Sequence, residues 1–385
     1  MLIVGIITGL IILVLLVTVH ELGHGIVARR NGVTVEEFGI GFPPRAWGKK
    51  VKKSILGKNV QYTLNWLPLG GFVKLQGEHD AADKEGDYGA ASYWVKTKIL
   101  LAGVLMNWVV AVVLLTILAL FGLPKIIENQ FSIPADTIVK ADPLQLAYVA
   151  GGSPADKAGL KQNDKLLRIN GAKVSSPQML SDTTKADRGE TIEIIYGRGG
   201  TEYTTHASLR KNDNGQGYLG VSASQRQQLR ATWSAPIVGV GVTAQFTWVT
   251  LKGTAQIAWD ALKGLVQSLS FDKNTRKDGA AEISTVSQSV AGPVGILGVI
   301  FPEAQAAGLG SLVFLTAIIS LSLAVMNILP IPALDGGRWW TMTYYRLRHK
   351  KLTKEREEKI QTIGFMVLMA LVVLVTWADV GKLFR

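Results

Sequence analysis

Four long apolar runs leave this chain few ways to fold. Residues 2–19, LIVGIITGLIILVLLVTV, carry no charge, and comparable runs lie at 99–123, 310–329 and 362–379. A helix of about 20 residues, rising 1.5 Å per residue, matches the hydrocarbon thickness of a bilayer. Such a helix satisfies its own backbone hydrogen bonds where no water can. The expectation is a polytopic α-helical membrane protein with four transmembrane helices. Of the 385 residues, 48% are hydrophobic and 18% charged, and the mean hydropathy is +0.24. That is too apolar for an ordinary soluble domain.

Charge gives the orientation. The net charge of +12 could mean nucleic acid, but much of it flanks the apolar runs, so the partner it implies is the lipid bilayer and not nucleic acid. Only Met1 precedes the first run, so the basic leader of a signal peptide is missing, whereas Arg29 and Arg30 follow it. The loop 29–98 holds Lys49, Lys50, Lys52 and Lys53, and the loop 338–359 holds Arg346, Arg348, Lys350, Lys351 and Lys354. Both are expected in the cytoplasm, with 124–309 and both termini outside. The chain then divides into a first span (1–30), a cytoplasmic membrane-associated region (31–98), a second span (99–123), an outer domain (124–222) and an outer or interfacial amphipathic region (223–309). A third span (310–337), a basic cytoplasmic loop (338–361) and a fourth span (362–385) complete it. Within the amphipathic region, 235–251 is apolar enough to cross. A span there would reverse the third helix, so a helix at the outer interface is expected instead.

The end of the first span carries chemistry. His20-Glu21-Leu22-Gly23-His24 is an HExxH sequence, and a helix places positions i and i+4 on one face, so both imidazoles can reach one ion. Glu21 lies beside them, placed to take a proton from an activated water. Ionisable residues at the end of an apolar span are costly unless they serve a function. With no cysteine in the chain, a metal here must use His, Asp or Glu. The other three histidines, His79, His206 and His349, sit in polar surroundings and read as solvated.

Zinc needs a third protein ligand, leaving one position open. Asp335, in Asn327-Ile-Leu-Pro-Ile-Pro-Ala-Leu-Asp-Gly-Gly337, is the best candidate. Pro330 and Pro332 break the third span there, and Gly336 and Gly337 let the backbone turn. The first span runs inward to His24 and the third runs inward to Asp335, so both half-sites reach the same side at similar depth.

These paired motifs, with a PDZ-like insert between them, resemble the bacterial site-2 protease family, of the regulator-of-sigma-E protease type with a single PDZ domain. The resemblance covers nearly the whole chain. It implies Zn2+ held by His20, His24 and Asp335, Glu21 as general base, and Asn327 in contact with the substrate or the tetrahedral intermediate. Residues 60–77, VQYTLNWLPLGGFVKLQG, resemble the family's membrane-associated β-hairpin, which implies substrate contacts at Phe72 and Val73 and, beside the metal motif, at Pro330 and Pro332. The residues themselves read as strands around a Pro-Leu-Gly-Gly turn. The implied activity is regulated intramembrane proteolysis of single-span proteins, anti-sigma factors or signal-peptide remnants, after a first cut outside a bacterial inner membrane. One departure is Val104, where the family stretch AGP-x-x-N has proline, although Asn107 is kept. Gly292-Pro-Val-Gly-Ile296 resembles a family GPVGI stretch and reads as packing.

The outer domain alternates short apolar runs with turns. Gly152-Ser-Pro-Ala, Ala158-Gly-Leu, Asn163-Asp164 and Leu166-Leu-Arg-Ile-Asn-Gly171 resemble the run of a bacterial PDZ domain, with Asn163 in place of glycine. Such domains bind peptides by strand addition, although here a filter against bulky outer domains fits as well. The rival functions are a catalytically inactive membrane-bound PDZ adaptor, a secreted soluble zincin and a metal transporter. The intact His20, Glu21, His24 and Asp335 argue against the first, the further spans against the second, and the PDZ insert against the third.

Overall fold

The computed structural model describes residues 2–213, 215 and 217–383. The remaining residues of the expected first and fourth spans and outer domain lie outside that set. The chain forms two compact units, Met1–Leu118 with Ala235–Arg385, and Ala119–Ser234.

The first unit opens with α1 (Leu2–Arg30), whose apolar face stays outward at Leu2, Ile3, Ile7, Ile11 and Leu15. Its inner face is built of small residues: an added Cβ at Gly5 or Gly9 would strike Pro302 or Phe301 at 2.6 Å. Exposed Leu and Ile with glycine inside is the arrangement of a lipid-facing helix, in which close backbone approach drives packing. Two bent strands follow, β1 (Val35–Ser54) and β2 (Gly57–Leu75). Because both bend, they make a sheet of four lanes. Glu37–Ile40 pairs with Gln61–Leu64 on one side and with Gly71–Lys74 on the other, and Arg45–Lys53 pairs with Lys58–Asn65. Gly71–Leu75 is thereby an edge lane among the described residues. Val35, Phe38, Val60 and Leu75 bury this sheet against Ala28 of α1 and Ile99 of α2 (Tyr93–Phe121).

The second unit follows α2. Its larger sheet is antiparallel and runs in the order β10 (Val221–Ser224), β5 (Leu144–Val149), β6 (Lys165–Ile169), β8 (Thr191–Arg198), β9 (Thr201–Ser208), with β7 (Ala172–Lys173) paired to β6. Leu144, Leu146, Leu166, Ile169, Ile192 and Ile194 form its core. Two short helices pack there, α3 (Pro154–Lys157) and α4 (Pro177–Ala186). Ser153 and Ser176 cap them by accepting from the Asp156 and Met179 amides, and proline stands at each first position. A small sheet joins β3 (Leu123–Pro124), β11 (Gln227–Arg230) and β4 (Ile138–Ala141). Asn163 has a φ of +74°, a left-handed conformation that asparagine tolerates, so it can stand where a glycine usually serves.

The first unit resumes with α5 (Ala235–Ser268) and α6 (Lys273–Ser289). The apolar stretch 235–251, expected at the outer interface, is the first half of a 34-residue helix that packs along α2. Gly239 meets Thr116, Trp108 donates to Thr247 at 3.2 Å, and Phe246 stacks edge-on with Phe314 of α9 (Leu309–Ile328). α7 (Pro293–Gly295), a π-helical turn (Ile296–Ile300) and α8 (Phe301–Ala306) intervene before α9. The GPVG turn is a packing element: the Gly295 amide donates to Asp379 of α11 at 2.8 Å. α10 (Asp335–Leu347) and α11 (Lys354–Leu383) complete the chain. Among the described residues, four helices, α1, α2, α9 and α11, are long and apolar enough to cross a bilayer, the number expected from the sequence.

Candidate metal centre

The two histidines face one another from successive turns of α1, and α10 starts opposite them. His20 Nε2 lies 2.9 Å from Asp335 Oδ2, His24 Nε2 lies 3.2 Å from the same oxygen, and the two nitrogens are 3.2 Å apart. A tetrahedral zinc with bonds of about 2.0–2.1 Å holds its ligand atoms roughly 3.3–3.4 Å apart. The triangle present is thus already close to the size that the ion imposes, and its nitrogen and oxygen donors are those zinc accepts. Both histidines are 6% exposed, whereas the Asp335 side chain is 21% exposed, so the triangle opens on the aspartate side.

Asp335 reaches this point because the third span cannot continue. Beyond Ile328 the chain passes Pro330 and Pro332 without helix and takes a φ of +75° at Ala333, and helix resumes at Asp335 itself. Gly336 and Gly337 press on the preceding loop, where an added Cβ would lie 2.4 Å from the Ile328 carbonyl and 2.0 Å from the Ile331 oxygen.

α2 forms the opposite wall. The Ile99 carbonyl lies 2.7 Å from His24 Nδ1, the geometry in which that nitrogen carries the proton and donates it. The other nitrogen is then a lone pair aimed at the triangle. One turn on, Gly103 has no side chain, and an added Cβ would sit 2.4 Å from His24 Nε2 and 2.7 Å from His20 Nε2.

Glu21 lines the same cavity, of about 770 Å³, together with Phe72, Val73, Leu334, Asp335 and Arg338. Its Oε2 accepts from the Val73 amide at 3.0 Å. Val73 belongs to the edge lane of the sheet, and the next outward amide, of Leu75, donates to Glu78 Oε2 at 3.3 Å. Arg338 donates to Glu78 at 2.9 Å and to Glu357 at 3.1 Å, tying α10 to that loop and to α11.

The structure therefore brings together His20, Glu21, His24, Asp335, Phe72 and Val73. Asn327 turns back on its own helix, its Nδ2 donating to the Leu323 carbonyl at 3.0 Å, and it does not line the cavity. Pro330 and Pro332 are absent from the lining as well, and Pro332 packs against Gly364 of α11. Gly103 escaped the sequence reading, because a glycine in an apolar span carries no signal of what it faces. Asn107, fully buried, carried a usable one as a polar side chain in mid-span.

Comparison with known proteins gives the family. The description Peptidase family M50 matches residues 8–371. A Clostridium perfringens protein described as a zinc metalloprotease is 32% identical over 365 residues, which is 95% of either chain. Zinc metalloprotease RasP of Shouchella clausii is 25% identical over 453 residues, covering 96% of this chain and 97% of its own. A PDZ domain of an SdrC-like protein from Listeria monocytogenes is 24% identical over 21% of this chain and 87% of that domain, with a TM-score of 0.20. With a family match from the first span to the last, this chain belongs to Peptidase family M50, the site-2 zinc metalloproteases.

Proposed function

We propose that this protein cleaves single-span membrane proteins within the bilayer, with His20, His24 and Asp335 as the zinc ligands and Glu21 as general base. The observation that carries the reading is the convergence of those three ligand atoms to within 2.9–3.2 Å of one another inside a bundle of apolar helices. Zinc, when bound, supplies a Lewis acid that polarises the scissile carbonyl and acidifies a water. Glu21 takes the proton from the attacking water and delivers it to the leaving amine. Asp335 and the two imidazoles would hold the ion, at the wall of the cavity that Glu21 lines.

A peptide bond inside a helix is guarded by its own hydrogen bonds, so the substrate unwinds before it is cut. The edge lane Gly71–Leu75 is the surface that receives the extended segment, by strand addition beside Glu21. Phe72 and Val73 contact it there. Asn327, with Pro330 and Pro332, flanks the substrate path once the Asn327 amide leaves Leu323. Substrates of this class are anti-sigma factors or signal-peptide remnants already trimmed outside a bacterial cytoplasmic membrane, and the PDZ-like unit screens them by the bulk of their outer part. The basic loops support an orientation with the metal site towards the cytoplasm and both termini outside.

The test is cleavage of a single-span substrate by purified protein in detergent, wild type against Glu21→Gln, with zinc measured in both. Loss of at least about 100-fold in rate with zinc retained is expected for removal of a general base. Glu21→Gln cleaving at the wild-type rate would remove Glu21 from that role. Absence of zinc from both proteins would favour a membrane-bound PDZ adaptor instead.

A further inference from the structure

The two histidines are not equally provided for. His24 has the Ile99 carbonyl at 2.7 Å from its Nδ1, an acceptor that fixes the proton there. The group facing His20 Nδ1, at 3.4 Å, is the side-chain amide of Asn107, two turns further along α2. Ile99, Gly103 and Asn107 are spaced by four residues and so share one face of α2, the face turned to the metal triangle. Asn107 is fully buried, and its side-chain oxygen has no hydrogen-bond partner. Its backbone is held in place, since its carbonyl accepts from Ser320 of α9 at 2.8 Å.

As oriented, the amide nitrogen faces His20 Nδ1. A donor there requires Nδ1 to be the unprotonated nitrogen, which leaves the proton on Nε2, pointing at Asp335. That tautomer cannot bind a metal through Nε2. A half-turn of the carboxamide exchanges the two ends at no cost in shape. The oxygen then faces Nδ1, the proton moves there, and Nε2 becomes a lone pair like that of His24.

We propose that Asn107 is a positioning residue for zinc: its side-chain oxygen accepts the Nδ1 proton of His20 and so commits Nε2 to the metal. The inference rests on the ligand set assigned above and adds a residue that touches neither metal nor substrate. It gives a mid-span asparagine a function that burial in an apolar helix otherwise makes costly. It also completes a symmetry in the site, with both imidazoles oriented by α2, one through a main-chain carbonyl and one through a side chain.

The test uses the full-length protein in detergent and reads zinc affinity by competition with a chelator of known strength. Asn107→Leu keeps the volume and removes the acceptor; Asn107→Asp keeps the acceptor and removes the donor. Loss of an outer partner of a ligating histidine weakens metal binding about 10–100-fold, which is expected for Asn107→Leu. Asn107→Asp is expected to bind zinc as well as wild type or better. If Asn107→Leu holds zinc like wild type, or if Asn107→Asp is as weak as Asn107→Leu, the proposal fails, the second result meaning that the amide acts as a donor. His20→Ala is measured alongside. Zinc lost there but kept in Asn107→Leu overturns only the role of Asn107, whereas zinc kept in His20→Ala overturns the ligand set itself.

Discussion

Replacing Gly103 by alanine adds one methyl group and should destroy the metal centre. The new Cβ would lie 2.4 Å from His24 Nε2 and 2.7 Å from both Cε1 and Nε2 of His20. Ordinary contact begins near 3.4 Å, so α2 and the imidazoles must separate by about 1 Å, which for a packed core costs roughly 1–3 kcal/mol. His24 cannot absorb the shift alone, because its Nδ1 is tied at 2.7 Å to the carbonyl of Ile99 on the same helix. Metal sites tolerate about 0.2 Å of error in ligand distances. A displacement of about 1 Å therefore breaks either a metal–ligand bond or the Ile99 bond, and the second alone costs about 10–100-fold in affinity. A fall in zinc affinity of at least about 10-fold, or about 1.4 kcal/mol, is expected. The assay is chelator competition on purified protein, with a thermal melt to separate misfolding from metal loss. Gly310→Ala is the control, since nothing lies within 4 Å of its added Cβ. Wild-type zinc affinity in Gly103→Ala, with Gly310→Ala also unchanged, would refute the claim that α2 closes on the ligands.

Two further outcomes are expected. Arg338→Met leaves Glu357, 5% exposed, facing Glu78 without their shared cation, and should lower stability by about 3–5 kcal/mol, read as a drop in Tm; Glu357→Gln added to it should recover part of that loss. In the second unit, burial alone would raise the pKa of Asp164, but two hydrogen bonds from Arg198, at 2.7 and 2.6 Å, and one from the Lys161 amide at 2.7 Å overrule it and hold the carboxyl below its ordinary value. A depressed carboxyl stabilises the fold fully above its unfolded value, near pH 4, and loses that contribution as pH falls through the folded value. Hydrogen exchange of the β6 and β8 amides should accelerate over that window, and Asp164→Asn should remove the dependence at a cost of about 1–3 kcal/mol at neutral pH.

The half of the site on α1 was legible because one helix carries both histidines, and helical periodicity alone makes positions 20 and 24 neighbours. Asp335 was legible from chain direction, since two spans running the same way end at the same depth. What a single sequence cannot give is the register between helices. Whether position 103 or 104 of α2 faces position 24 of α1 depends on packing that no local pattern encodes, so Gly103 and the orientation of Asn107 emerged only in three dimensions. The same limit applied to 235–251, whose composition gave no sign that Gly239 would meet Thr116 of α2 and Phe246 would meet Phe314 of α9. Val73 was named from the resemblance of 60–77 to the family's β-hairpin. Its contact with Glu21 is through the main-chain amide, a donor that every residue but proline carries.

That contact has a consequence for selectivity. Two amides of the edge lane, those of Val73 and Leu75, already donate to the carboxylates of Glu21 and Glu78. A polypeptide that pairs with this lane trades each carboxylate for one of its own carbonyls, so hydrogen bonds are swapped and few are gained. The exchange is then close to neutral on the side of the enzyme, and the balance falls on the incoming helix and the effort of unwinding it. If substrates add to this lane as proposed, the enzyme would read a sequence through this contact less than it reads how readily a helix comes apart.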